Sequence, residues 1–146
     1  AFLFAKYAAP VMKSQKSGVI ILTSSTAGLY GFMHRAPYVS AKWGVIGLMK
    51  TLAIELGPFN IRANAICPGG VEGHRLDHVI EREAAAKGVR VEEVREAYAA
   101  GTSMRRLVSP TDIANMAVFL ASDAAQLVSG QAIAVDGHTE HPEPKF

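Results

Sequence analysis

No glycine-rich turn of the form G-x-G-x-x-G or G-x-x-x-G-x-G occurs in these 146 residues. Such a turn, placed between a strand and a helix, receives the pyrophosphate of a dinucleotide on its backbone amides. The sequence therefore holds no phosphate cradle of that kind. Cysteine is scarce too. Cys67 stands alone, which excludes an internal disulfide and makes a reducing compartment the simpler expectation. Long hydrophobic runs are missing, because Lys6 and Lys13 interrupt the apolar start, and a spanning helix needs about 20 apolar residues. That start also lacks the basic leader of a signal peptide, so a cytoplasmic location with no membrane association is expected. Charge of one sign is nowhere concentrated. Fifteen basic residues against 13 acidic give a formal charge of +2, mixed along the chain, which argues against nucleic acid as a partner.

What is present suits a packed core: 49% of residues are hydrophobic and 19% charged, which excludes a disordered chain. Helix and strand signals alternate. Residues 1 to about 15 read as helix, closed by Lys16-Ser17-Gly18. Val19 to Thr23 is a β-rich apolar run, the pattern of a parallel strand buried on both faces. Residues 38 to about 56 have helical apolar spacing, with Gly57-Pro58 as the stop. Ile61 to Ile66 reads as a strand broken by Pro68-Gly69-Gly70. Two charge-rich helices, Leu76 to Lys87 and Val91 to Ala100, flank Gly88. Ser109 and Pro110 start another helix as N-cap and first-turn residue, running to about Ser122. Gln131 to Val135 makes a last strand before a tail at 139–146. The order implies an α/β fold with a parallel sheet.

Tyr38 and Lys42 are four apart on the second helix and share one face. An unperturbed tyrosine titrates near ~10, so it is a poor base at neutral pH, and a nearby ammonium favours the phenolate. Tyr38 is therefore the candidate general acid or base. Ser25 stands thirteen residues earlier, where the strand ends and a hydroxyl can meet a carbonyl oxygen. Its distance from Tyr38 selects it over Ser24 and Thr26, read as turn residues.

Four ordered segments carry a resemblance. Gly18 to Gly28 with its serine, Tyr38-x3-Lys42, Asn64-Ala-Ile-Cys-Pro-Gly69, and Ser129 to Gly137 together resemble the short-chain dehydrogenase/reductase family over almost the whole chain. The resemblance implies a Rossmann-like, doubly wound parallel sheet whose N-terminal dinucleotide-binding half is missing, so that residues 1–146 form the C-terminal part of one domain. It implies an NAD(P)-dependent oxidoreductase interconverting an alcohol and a carbonyl, with NAD or NADP as cofactor. Ser25 would hydrogen-bond the substrate oxygen, Tyr38 would pass a proton, and Lys42 would hold the nicotinamide ribose. Pro68 and Gly69 would allow close approach to the nicotinamide, and the Val71 main chain would meet its carboxamide. Gly73 stands where the family usually has threonine, and His138 where it has a second glycine. The family's pairing of corresponding helices implies a homodimer or homotetramer. The alternative is a non-catalytic dimerisation or interaction fragment, or pseudoenzyme, of the same fold.

The remaining candidates are weaker. Residues 71–108 form an insertion beyond a strand's carboxyl end, the place for a substrate lid. Met33, His74 and Arg75 are candidate substrate contacts, the last two for an anionic group. His74, Asp77, His78 and Glu81 cluster on one helix but read as a solvated face, so no metal is expected. Lys13, Arg35, Arg62, Arg105 and Arg106 are assigned to solvation and local pairing. Trp43 reads as packing or interface.

Overall fold

A computed structural model describes residues 1–141. These residues form five α-helices and a three-stranded parallel sheet of order β1-β2-β3. Helix α1 (Phe2–Gln15) leads into β1 (Gly18–Thr23), a 3-10 turn at Thr26–Gly28 follows, and α2 (Ala36–Leu56) crosses back to β2 (Ile61–Pro68). The excursion α3 (His74–Lys87), α4 (Val91–Ala100) and α5 (Pro110–Ala121) precedes β3 (Ala132–Val135). Gly18 pairs with Ile61 and Thr23 with Ile66, while Ala65 pairs with Ala132. The carboxyl ends of the strands therefore align at one edge, where Ser24, Pro68 and Asp136 emerge.

The main core forms because α2 presents Ile46, Met49, Leu52 and Leu56 at helical spacing to alternate residues of β2. Ile61, Ala63, Ala65 and Cys67 on that strand are at most 1% exposed. Helix α5 packs on β1 and β2 with Leu120 fully buried. Its start is the expected one, since Ser109 accepts from the Asp112 amide and the Asp112 carboxylate accepts from the Ser109 amide. Its end is held by Arg62, which donates to the carbonyls of Leu120 and Ser122. Arg62 is thus a half-buried cap, not a solvating cation. Helices α3 and α4 carry a small core of their own, Ile80, Ala84 and Val94.

The expectation of a β1 buried on both faces is not met. Only Ile20 is buried, and Thr23 is exposed. The reason is pairing: among the described residues β1 hydrogen-bonds to β2 alone, and α1 covers it while burying only Ala5 of its own residues. Phe2, Phe4 and Tyr7 on α1 and Trp43 and Ile54 on α2 remain exposed, so both helices keep apolar surface away from the sheet. No helix among the described residues is long and apolar enough to cross a membrane. Part of the 139–146 tail, residues 142–146, lies outside the described residues.

Candidate active site

A cavity of about 670 Å³ opens at the carboxyl ends of the strands, where loops of open α/β sheets bind ligands. Its floor begins with the turn after β1. Ser25 has extended backbone and its Oγ accepts from the Ala27 amide at 3.1 Å. A hydroxyl that accepts through a lone pair keeps its hydrogen for another acceptor, and Ser25 lines the cavity. Ser24, beside it, is 3% exposed and donates instead to the Lys42 carbonyl at 2.9 Å. One serine ties the strand to α2 while the next faces the opening.

Helix α2 supplies Tyr38 and Lys42 from its first two turns, with Pro37 at its start. The Lys42 ammonium donates to the Thr23 carbonyl at 3.1 Å and lies 5.6 Å from the centre of the Tyr38 ring. That bond anchors the cation at the end of β1 and leaves it two further N–H donors. Across the cavity, Pro68 ends β2 and Gly69 and Val71 follow it. A Cβ on Gly69 would lie 2.8 Å from the Asp136 Cβ, so the chain's own packing already requires glycine there. Asp136 in turn builds the turn after β3: its carboxylate accepts from the His138 and Thr139 amides and the Thr139 hydroxyl. His138 takes the left-handed conformation, φ 62°, that a second glycine would adopt.

Beneath the floor, Cys67 is fully buried. Burial pushes its thiol up from the ordinary value, against the pull of the Ser25 backbone and the Ser24 side chain.

The α3–α4 side carries a second tyrosine, which spacing along the sequence did not reveal. Tyr98 on α4 lines the cavity and donates to Glu83 of α3 at 2.9 Å. Burial, then the Glu83 hydrogen bond and charge, push its phenol up to about 12. Tyr98 is therefore a neutral wall residue over the usable pH range.

Ser25, Tyr38, Lys42, Pro68, Gly69, Val71, His74 and Arg75 all line this one cavity. Met33 does not. It is 67% exposed and lies outside the lining, although Phe32 and Arg35 from the same loop belong to it. His74 opens α3 and both it and Arg75 are exposed. His78 faces outward against Glu81, Asp77 pairs with Arg95 of α4, and no group of three potential metal ligands converges among the described residues.

A parallel sheet with Ser25, Tyr38 and Lys42 gathered beyond its strand ends belongs to the doubly wound α/β class. Residues 1–138 match the family model described as enoyl-(acyl carrier protein) reductase, and the chain belongs to the short-chain dehydrogenase/reductase family. It is 40% identical to an uncharacterised oxidoreductase of Bacillus subtilis over 137 residues, which is 93% of this chain and 53% of that protein. The solved actinorhodin polyketide ketoreductase with NADPH is 36% identical, with a TM-score of 0.81, over 86% of this chain and 48% of that one. 4-Hydroxyisoleucine dehydrogenase complexed with NADH is 29% identical, with a TM-score of 0.75, over 94% and 53%. The chain spans about half the length of the relatives it matches.

Proposed function

We propose that this chain is the proton-transfer and substrate-binding part of an NAD(P)-dependent oxidoreductase that interconverts an alcohol and a carbonyl. The observation that carries the reading is the convergence of Ser25, Tyr38 and Lys42 on one cavity, with the Lys42 ammonium anchored on Thr23 within 5.6 Å of the Tyr38 ring. NADPH in one solved relative and NADH in another support NAD or NADP as the cofactor.

The residues present suit such a group. Lys42 has two spare N–H donors for ribose hydroxyls, and the Gly69 to Val71 backbone faces the cavity. When bound, the nicotinamide supplies or accepts the hydride. The work left to the chain is orientation and proton movement. Ser25 keeps its hydroxyl hydrogen for the substrate oxygen because its lone pair is occupied by Ala27. Tyr38 gives that oxygen a proton on reduction and takes it back on oxidation, and Lys42 beside the ring stabilises the charge that develops on the phenolic oxygen. Tyr98 donates its only hydrogen to Glu83, and a phenol pushed up to about 12 gives up its proton less readily than an ordinary one. Residues 71–108 act as the lid. No glycine-rich pyrophosphate turn occurs in these 146 residues. The apolar surface left on α1 and α2, with Phe4, Tyr7 and Trp43 exposed, supports pairing of copies through those helices.

The test is titration of this chain, and of the full-length protein containing it, with NADH and NADPH, following nicotinamide fluorescence. Binding by the full-length protein is expected, and Tyr38→Phe should then lower turnover by about 10²- to 10⁴-fold while leaving cofactor affinity in place. Binding by neither protein would refute the reading in favour of a non-catalytic fragment.

A further inference from the structure

Cations exceed carboxylates around the cavity. Arg35, Lys42, Arg75 and Arg106 line it, against Glu72 and Asp136. Asp136 is committed to the turn after β3, where it accepts three hydrogen bonds from His138 and Thr139. Lys42 is spoken for by Thr23 and, on the proposed reading, by the cofactor ribose. Arg75 follows β2, on the side where the Gly69 to Val71 backbone faces the cofactor. Arg106 acts on the Asp112 carboxylate at the start of α5. Arg35 is the cation that none of this explains.

Its position is informative. Arg35 is the N-cap residue of α2, three residues before Tyr38, and Lys42 stands four residues after Tyr38 on the same helix, so Tyr38 lies between the two cations. Arg35 and Lys42 lie roughly 10 Å apart along the axis. If Lys42 marks the cofactor side of Tyr38, Arg35 marks the opposite side, where the rest of the substrate must lie. The ion pairs among the described residues leave Arg35 out. Its charge is felt at the Tyr98 hydroxyl, whose only hydrogen is already donated to Glu83. Tyr98 can therefore occupy one guanidinium N–H as an acceptor, and a guanidinium has five. Glu83 is itself paired with Lys87 at 2.7 Å, so Arg35 is not needed to balance it. Arg35 therefore keeps most of its donors and its charge for the cavity.

We propose that the substrate carries an anionic group, a carboxylate or phosphate, at the end remote from its reacting carbonyl, and that Arg35 is the residue that selects for it. Phe32 and Leu76 beside Arg35 and Arg75 in the lining would accommodate the short apolar stretch between the two ends. Planar bidentate contact with an oxyanion is what a guanidinium offers and a lysine does not. The inference rests on the oxidoreductase reading and narrows its substrate class.

The experiment uses the full-length protein and matched carbonyl pairs differing in one charge: acetoacetate with methyl acetoacetate, levulinate with methyl levulinate, and dihydroxyacetone phosphate with dihydroxyacetone. Cofactor oxidation gives kcat/KM for each. Wild type should prefer the charged member of at least one pair, and which pair it is distinguishes carboxylate from phosphate. Arg35→Gln should reduce that preference by about tenfold to a hundredfold, mainly through KM, the range expected for loss of a charged hydrogen bond. Arg35→Lys should restore part of it, and Arg35→Glu should invert it, a pattern that a merely structural role would not produce. An unchanged charged-to-neutral ratio in Arg35→Gln overturns the proposal. Turnover of neutral members alone also overturns it, while leaving the oxidoreductase reading standing. Turnover of no member, together with no cofactor binding, overturns both.

Discussion

Replacing Asn64 by leucine should cost more stability than any exposed substitution in the chain, because this side chain fastens β3 to the sheet. Asn64 is fully buried in the middle of β2. Its Nδ2 donates to the Val128 carbonyl at 2.7 Å, and its Oδ1 accepts from the Gln131 amide at 3.1 Å. Those two bonds set the loop before β3, and β3 delivers Asp136 to the cavity wall. Leucine has nearly the same volume, so little of the effect comes from a void. Each lost hydrogen bond is worth about 1 kcal/mol net, and a buried amide stranded without its acceptor adds about 1 to 3 kcal/mol. Val128 retains a long contact from Arg62 at 3.5 Å, so the stranded group is chiefly the Gln131 N–H. The sum is about 3 to 5 kcal/mol, a large part of the 5 to 15 kcal/mol or so that holds a typical domain folded. With a urea dependence of about 2 kcal/mol per molar, the midpoint of the full-length protein should fall by roughly 1.5 to 2.5 M, read by circular dichroism. Asn64→Asp should behave differently. It keeps the acceptor for Gln131 but sets a carboxylate against the Val128 carbonyl, so its stability should recover on acidification, when the protonated acid can donate. An Asn64→Leu midpoint within the span of about 0.5 kcal/mol of wild type would refute the clasp.

Two further perturbations act on the floor of the site. Cys67 is buried with its thiol pushed above its ordinary 9.0, so the folded state holds that proton longer than the unfolded state does. The stability this contributes is complete below pH 9.0 and is lost as pH rises through the folded value. Alkylation by iodoacetamide near neutral pH should accordingly be at least about a hundredfold slower in the folded than in the urea-unfolded protein; equal rates would show the thiol to be accessible. Gly28→Ala places a methyl against Ser24 Oγ and 3.0 Å from both Ile46 Cδ1 and the Lys42 carbonyl. The turn or the helix must then move, at a cost of about 1 to 3 kcal/mol, and turnover should fall with it. Wild-type turnover in that variant would mean the Ser24 to Lys42 link does not position the site.

How far the site could be read from the sequence follows from how local each determinant is. Tyr38 and Lys42 were legible because four residues on a helix fix their relation whatever surrounds them, and α2 begins only two residues before its expected start. The choice of Ser25 over Ser24 came from distance along the chain, and the structure adds a reason that no spacing contains. Ser24 spends its hydroxyl on the Lys42 carbonyl eighteen residues away, which leaves Ser25 with a hydrogen to give. Arg62 was misread for a similar reason: its partners are the carbonyls of Leu120 and Ser122, distant in sequence and brought near only when α5 docks. Tyr98 and Arg35 are also far apart in sequence. Neither residue's surroundings in sequence mark it, and the wall they make exists only because α4 folds against α3 and returns over the start of α2. The chemistry shared across a family can thus be read from one helix and one turn. The substrate selectivity proposed for Arg35 depends on a wall where two distant segments meet, and for that reason the charge at Arg35 is the more informative position to change.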